Sequence, residues 1–152
     1  MNRRKIRTAA ALAAILALAG LTGCGMFGQN KSTAEGRIGD TIETDFYEFT
    51  VNRGYLCDEF EGRPASEGTE LLVVDVTVRN TFNSTIPMSD WDFQAQWGED
   101  DDDEAYAFPI TSDPDTGEEI PAVSEEQLPY EYELGIDEMG QGLLVYGVPA
   151  GY

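Results

Sequence analysis

Between Glu70 and Asn80 apolar and polar side chains alternate with period two: Leu72, Val74, Val76 and Val78 fall on one face, and Asp75, Thr77 and Arg79 on the other. Successive side chains of a strand point to opposite faces, so this run predicts a central β-strand with one alternate face buried. β-branched side chains suit a pleated surface, whereas a helix would spread Asp75, Thr77 and Arg79 around every side. The alternation recurs in Asp40–Thr44, in Phe46–Asn52 with Tyr47, Phe49 and Val51 on one face, in Tyr130–Leu134 and in Gly142–Val148. Trp91, Phe93, Ala95 and Trp97 also share a face, and Ala105–Phe108 returns after the acidic run Gly98–Glu104 to complete a hairpin. Residues 52–68, with scattered glycines, Pro64 and many acids, read as a long irregular connection. Asp113-Pro114-Asp115-Thr116-Gly117 has the composition of a turn, with Pro presetting φ and Gly supplying a positive one. Short strands separated by turns, with no amphipathic helical stretch among them, predict an all-β fold, an antiparallel β-sandwich.

A different pattern opens the chain. Arg3, Arg4, Lys5 and Arg7 precede an apolar run from Ala9 to Ala19, and Leu21-Thr22-Gly23-Cys24 follows. The run is too short to cross a bilayer, which takes roughly 20 apolar residues; with its basic start and small residues it reads as a signal peptide over 1–23. Leu-Thr-Gly-Cys resembles the lipobox of bacterial lipoproteins, which implies that Cys24 is acylated and becomes the first mature residue. Each buried methylene contributes about 0.8 kcal/mol, so a diacylated cysteine is a lasting anchor to the lipid bilayer. Residues 24–36 are small, polar and aperiodic: a tether spanning about 20 Å if it behaves as a flexible coil. The expected location is the outer face of the bacterial cytoplasmic membrane. Gly23-Cys24-Gly25-Met26-Phe27-Gly28 matches a dinucleotide-binding pattern in letters alone, because it straddles the processing site and lacks the strand and helix that give those glycines their role.

Charge and composition narrow the chemistry. Of 152 residues 29 are acidic and nine basic, and the signal segment takes four of the nine (Arg3, Arg4, Lys5, Arg7) and none of the acids. So acidic a domain is expected to bind no nucleic acid and no anionic membrane surface. With Cys24 acylated, Cys57 has no partner for a disulfide, and its acidic neighbours Asp58 and Glu59 disfavour a thiolate; it reads as a small half-buried hydrophobe. The absence of histidine excludes Ser-His-Asp and Cys-His nucleophile activation and histidine zinc sites. Lys31, the only lysine after the signal, lies in the tether. The chain is therefore read as a non-enzyme, with no cofactor required.

Two sets of residues remain as candidate ligands. Glu99–Glu104 and the turn at 113–119 present hard oxygen donors of the kind calcium prefers, with Asp101, Asp103, Asp113 and Asp115 as the expected metal ligands. The spacing is not that of an EF-hand, since counting from Asp113 puts Ser124 where the bidentate glutamate is required. The competing reading is a solvated, self-repelling hairpin tip. Tyr130 and Tyr132 share a face of one strand, and if it is the outward face they are the expected binding pair; aromatic residues on alternating strands are otherwise core.

Ile38-Gly39-Asp40-Thr41, Leu72–Asn80, Ser89-Asp90-Trp91-Asp92-Phe93 followed by Tyr106, and Gly142–Pro149 occur here in an order that resembles a family of secreted Gram-positive proteins of unknown function. That family is of the immunoprotective extracellular protein type, with a telokin-like, immunoglobulin-type fold. The resemblance covers most of residues 37–152 and implies an immunoglobulin-like β-sandwich without catalytic residues. The family usually carries a further strand after the Val-Pro step, whereas the sequence here stops at Gly151-Tyr152. Either the domain lacks its last strand, leaving a sheet edge open, or the reading frame is truncated. Taken together, the sequence is read as a membrane-anchored extracytoplasmic lipoprotein that binds another envelope protein. The alternative is an acidic calcium-binding module with loops 99–104 and 113–119 ordered by the cation.

Overall fold

The computed structural model describes residues 36–98, 105–111, 116 and 118–151. Its framework is a four-stranded antiparallel sheet formed by β1 (Thr41–Glu43), β2 (Tyr47–Cys57), β5 (Thr69–Asn80) and β10 (Met139–Pro149), in that spatial order. The fold is all-β, as the alternation predicts. The run that reads most clearly as a central strand is β5, flanked by β2 from Tyr47↔Asn80 to Cys57↔Leu71 and by β10 from Thr69↔Pro149 to Arg79↔Met139. A bulge at Asn52 bends β2, and its amide donates to Asp75 Oδ1 (3.1 Å) and Thr77 Oγ1 (2.9 Å).

Apolar burial is divided between the two faces of this sheet. Leu72, Val74, Val76 and Val78 join Tyr47, Phe49, Leu144 and Tyr146 in the larger core. Leu71, Val73, Leu143 and Val145 point the other way into a smaller one, closed by Phe60. The first half of β5 is thus buried on both faces, so its sequence there is a continuous apolar run, and alternation returns only from Asp75 onward. Cys57 packs half-buried against the smaller core.

Residues 52–68 differ from the expected irregular connection. β2 continues to Cys57, and a hairpin follows, β3 (Glu59–Phe60) and β4 (Arg63–Pro64). Its two turn residues, Glu61 and Gly62, both have positive φ (48° and 83°), the geometry whose twist matches paired strands. The hairpin sets Phe60 over Leu71 and Val73, which the acids around it obscure in the sequence.

The larger core is closed by β6 (Ile86–Ser89) paired with β9 (Glu131–Leu134), and by β7 (Ala95–Gln96) paired with β8 (Tyr106–Ala107). The hairpin across the acidic run is therefore present, though much shorter than its alternating flanks suggest. Asn80, at the end of β5, is fully buried and joins the two layers. Its Nδ2 donates to the carbonyls of Ser84 (2.8 Å), Leu134 (2.9 Å) and Gly135 (3.0 Å), and its Oδ1 accepts from the Phe82 N–H (2.7 Å).

The outer edge of β10 is partly covered. Ile110 N–H donates to the Val145 carbonyl (2.7 Å), and Leu143 exchanges bonds with Glu126 and Leu128 (2.7 and 3.0 Å). This close approach requires Gly142, where a Cβ would meet the Glu126 carbonyl at 2.9 Å. Pro149, at the end of the strand, has no N–H to offer a neighbour.

On the solvent face Asp75 gathers donors from the two strands flanking it: Asn52 and Arg53 (Nε to Oδ2, 3.4 Å) on β2 and Gln141 (3.1 Å) on β10. Burial by itself pushes its pKa up, but these amides and the Arg53 charge outweigh it and hold the carboxyl below the usual range. A lowered folded-state pKa gives stability that is present above the unfolded pKa and lost as pH falls through the folded one. Asp75→Asn is expected to cost about 1 kcal/mol in urea unfolding at pH 7, a figure limited by solvent screening. The difference from wild type should vanish near pH 2; an equal difference at both pH values would contradict the assignment.

Candidate binding surface

Ser89-Asp90-Trp91-Asp92 leaves the end of β6 as a single 3-10 turn rather than continuing as a strand. Its Ser-x-x-Asp spacing is a helix-start signature, and the Asp92 carboxylate caps the turn by accepting the Ser89 N–H at 2.6 Å. Asp90 is only 4% exposed; its N–H donates to the Tyr130 carbonyl (3.2 Å), and its Oδ2 accepts from the Thr111 hydroxyl. Asp90 Oδ1 is enclosed and bonds to no group among the described residues. With Asp90 drawn inward, the turn carries Trp91 outward.

Trp91 is 66% exposed, the most exposed large apolar side chain among the described residues. Its ring lies against Phe108 with centroids 4.4 Å apart, and Phe108 meets Tyr106 edge-to-face at 5.8 Å. Three aromatic rings from the turn and from the β8 segment thus form one continuous surface. The expectation that Trp91 shares one face with Phe93, Ala95 and Trp97 is corrected here: Phe93 and Ala95 are core, Trp97 packs against it, and Trp91 is outside. Helical turn geometry breaks the period-two count at the very residue that matters. The Ser-x-x-Asp signature was the available signal.

Beside Asp92 an open groove of about 470 Å³ lies over the paired strands β6 and β9, lined by Pro87, Met88, Ser89, Asp92, Glu131, Tyr132 and Glu133. Tyr132 lies opposite Met88 and packs against the larger core rather than facing outward. Its hydroxyl and that of Tyr47 are enclosed and have no hydrogen-bond partner among the described residues. Burial raises both phenol pKa values well above the ordinary one, with the Asp92 charge adding to each. Tyr130 lines a second groove, of about 250 Å³, with Thr111 and Ile120. The two tyrosines expected as a pair therefore serve separate grooves, with Glu131 lining both.

Asp101, Asp103, Asp113 and Asp115, the expected calcium ligands, and Cys24, the expected acylation site, lie outside the described residues. Among the described residues no three acidic or cysteine side chains are grouped to hold a metal ion. The ion pairs among them join Arg53 to Asp75 and Arg79 to Glu48 and Asp137. Arg63 donates instead to the carbonyls of Ile110 (3.4 Å) and Pro121 (3.0 Å). Asp92, Glu131 and Glu133 are left without a basic partner in that set. No family model, curated protein or solved structure matches this chain.

Partial burial raises the Asp92 pKa first, and the nearby Asp90 charge adds to it, against the lowering effect of the Ser89 hydrogen bonds. A raised carboxylate pKa favours the fold below the unfolded pKa, and that contribution is lost as pH rises through the folded value. At neutral pH the ionised group therefore opposes folding. Asp92→Asn keeps an acceptor for the Ser89 N–H and removes the charge, so its melting temperature is expected to exceed wild type at pH 7. The gap should close below about pH 4; a gap independent of pH would show that desolvated charge is not the cause.

Proposed function

We propose that this chain is a lipid-anchored extracytoplasmic lipoprotein whose β-sheet domain is a non-catalytic binding module for another cell-envelope protein. Leu21-Thr22-Gly23-Cys24 after the basic, apolar leader supports the anchor and the outer face of the cytoplasmic membrane as its location. The two-layer packing around one large core is consistent with an immunoglobulin-like sandwich of the telokin-like kind that the sequence resembles.

The observation that carries the binding reading is the exposed Trp91–Phe108–Tyr106 surface. A tryptophan two-thirds exposed gains nothing for the fold from the area left in water, and exposed aromatic clusters with a polar rim are the usual anchors of interfaces. Catalysis has less support: the chain contains no histidine, and Asp92, Glu131 and Glu133 line an open groove rather than an enclosed cleft.

Crosslinking in intact membranes followed by detergent extraction tests both halves. Cys24→Ala is expected to abolish incorporation of labelled palmitate and release the protein from the membrane fraction. Trp91→Ala is expected to keep membrane location and a cooperative melt, with a melting temperature lowered by no more than about 5 °C for the lost Phe108 contact, and to lose at least about fivefold of the wild-type crosslinked partner. Equal recovery of the same partner by Trp91→Ala would overturn the binding surface.

A further inference from the structure

The two edges of the four-stranded sheet differ. Along β10 the 109–111 and 126–128 segments bond to the edge, whereas β2 is covered only over its first half. β1 pairs with Glu48–Thr50, and the Gly39 N–H donates to the Val51 carbonyl (2.8 Å). There the cover ends. A turn closed from the Asp40 N–H to the Arg37 carbonyl (2.9 Å) sets Gly36 against Ile42, so Gly36 leads away from β2 rather than along it. Residues 53–57 pair with β5 on one side and with no strand or loop backbone among the described residues on the other. A bare strand edge is a template for another strand, and proteins blunt such edges with bulges, charges, proline or a covering loop. The bulge at Asn52 and the charge of Arg53 guard one end of this edge; Gly54–Cys57 has none of these devices. Tyr55 and Leu56 are instead 43% and 45% exposed, one on each face, beside Val73 of the smaller core and Leu72 of the larger. A strand added here extends both cores at once.

The charges at the two ends of this edge choose the occupant. Arg53 stands at its start, and Asp58 and Glu59 follow its end. An antiparallel strand fits if it brings acids to Arg53 and a base to the Asp58-Glu59 corner, and a second copy of the same edge supplies both. A parallel copy would set Arg53 on Arg53. Directly opposed residues share a face; with Leu56 opposite its own counterpart, Tyr55 meets Cys57 of the second copy and Arg53 meets its acidic corner. The 29 acids against nine basic residues make two copies repel at long range, but salt screens exposed charges beyond roughly 8 Å, and the edge contact lies within that distance. We propose that the β2 edges of two copies of this chain pair antiparallel through residues 53–57, joining two domains in one continuous sheet. The Trp91 surface takes no part in this contact.

The test is sedimentation of the full-length protein in excess detergent at about 0.15 M salt, with each variant first shown to melt cooperatively. Wild type is expected to dimerise as its concentration rises, Leu56→Lys at least about tenfold more weakly, and Trp91→Ala within about twofold of wild type. Arg53→Glu and Asp58→Lys/Glu59→Lys should each dimerise about tenfold more weakly alone and recover to within about threefold when mixed, because only the mixed pair has opposite charges at both contacts. Mild oxidation should link Tyr55→Cys to Cys57 of the second copy, and Tyr55→Cys/Cys57→Ser should stay unlinked. Links that survive Cys57→Ser would overturn the register. A monomer at every concentration, with no Tyr55→Cys link in intact membranes, would overturn the pairing. A Tyr55→Cys link to a different protein alone would overturn the second copy as occupant and assign the edge to that protein.

Discussion

The side-chain amide of Asn80 is the contact on which both layers of this protein depend. A buried amide left unpaired costs about 1 to 3 kcal/mol, while a satisfied one fixes the groups around it. Here a single fully buried side chain serves the turn after β5, the end of β9 and the turn into β10. The two NH donors reach three carbonyls, a shared arrangement that fits only when all three segments are in place. Apolar burial could tolerate the second layer sliding over the sheet; the amide defines one position for it. β6 and β9 are placed by that bond network, and the turn carrying Trp91 continues from β6.

The aromatic and acidic surface is a consequence of that placement. Pulling Asp90 inward to the Thr111 hydroxyl and the Tyr130 carbonyl turns Trp91 out and leaves Asp92 at the groove. Net charge sharpens the effect. With so few basic residues in the chain, those of the described region that form bonds are engaged by Asp75, Glu48, Asp137 and two carbonyls of the 109–121 segment. Among the described residues the carboxylates of the β6–β9 face are left without a basic partner. At Asp92 partial burial, with the Asp90 charge adding to it, leaves a carboxylate whose ionised form weakens the fold at neutral pH.

Most of the sheet was legible because its strands obey a single rule. β2 alternates through Val51 and β5 from Asp75 onward, while the apolar runs Leu71–Val74 and Leu143–Tyr146 mark the stretch of β5 and β10 buried on both faces. Legibility fails where the rule changes over one or two residues. The β3–β4 hairpin has strands too short to show a period, and only Glu61-Gly62 marks it. Trp91 was miscounted because a 3-10 turn interrupts the alternation before Phe93 resumes it. Tyr132 faces inward because β9 pairs with β6 in a register that sets it against Met88, a long-range choice with no local signature. Asn80 was visible only as the polar end of a strand, since its partners lie 54 and 55 positions away in sequence.

Native-state hydrogen exchange on Asn80→Ser tests the dependence of the second layer on this amide most directly. If the amide holds that layer, protection in Ile86–Ser89 and Glu131–Leu134 should fall by about 2 to 3 kcal/mol in opening free energy. Val73–Val76, at the centre of the four-stranded sheet, should lose markedly less. Uniform loss across both sets, or unchanged protection in β6 and β9, would mean that the layers are held together by apolar packing alone.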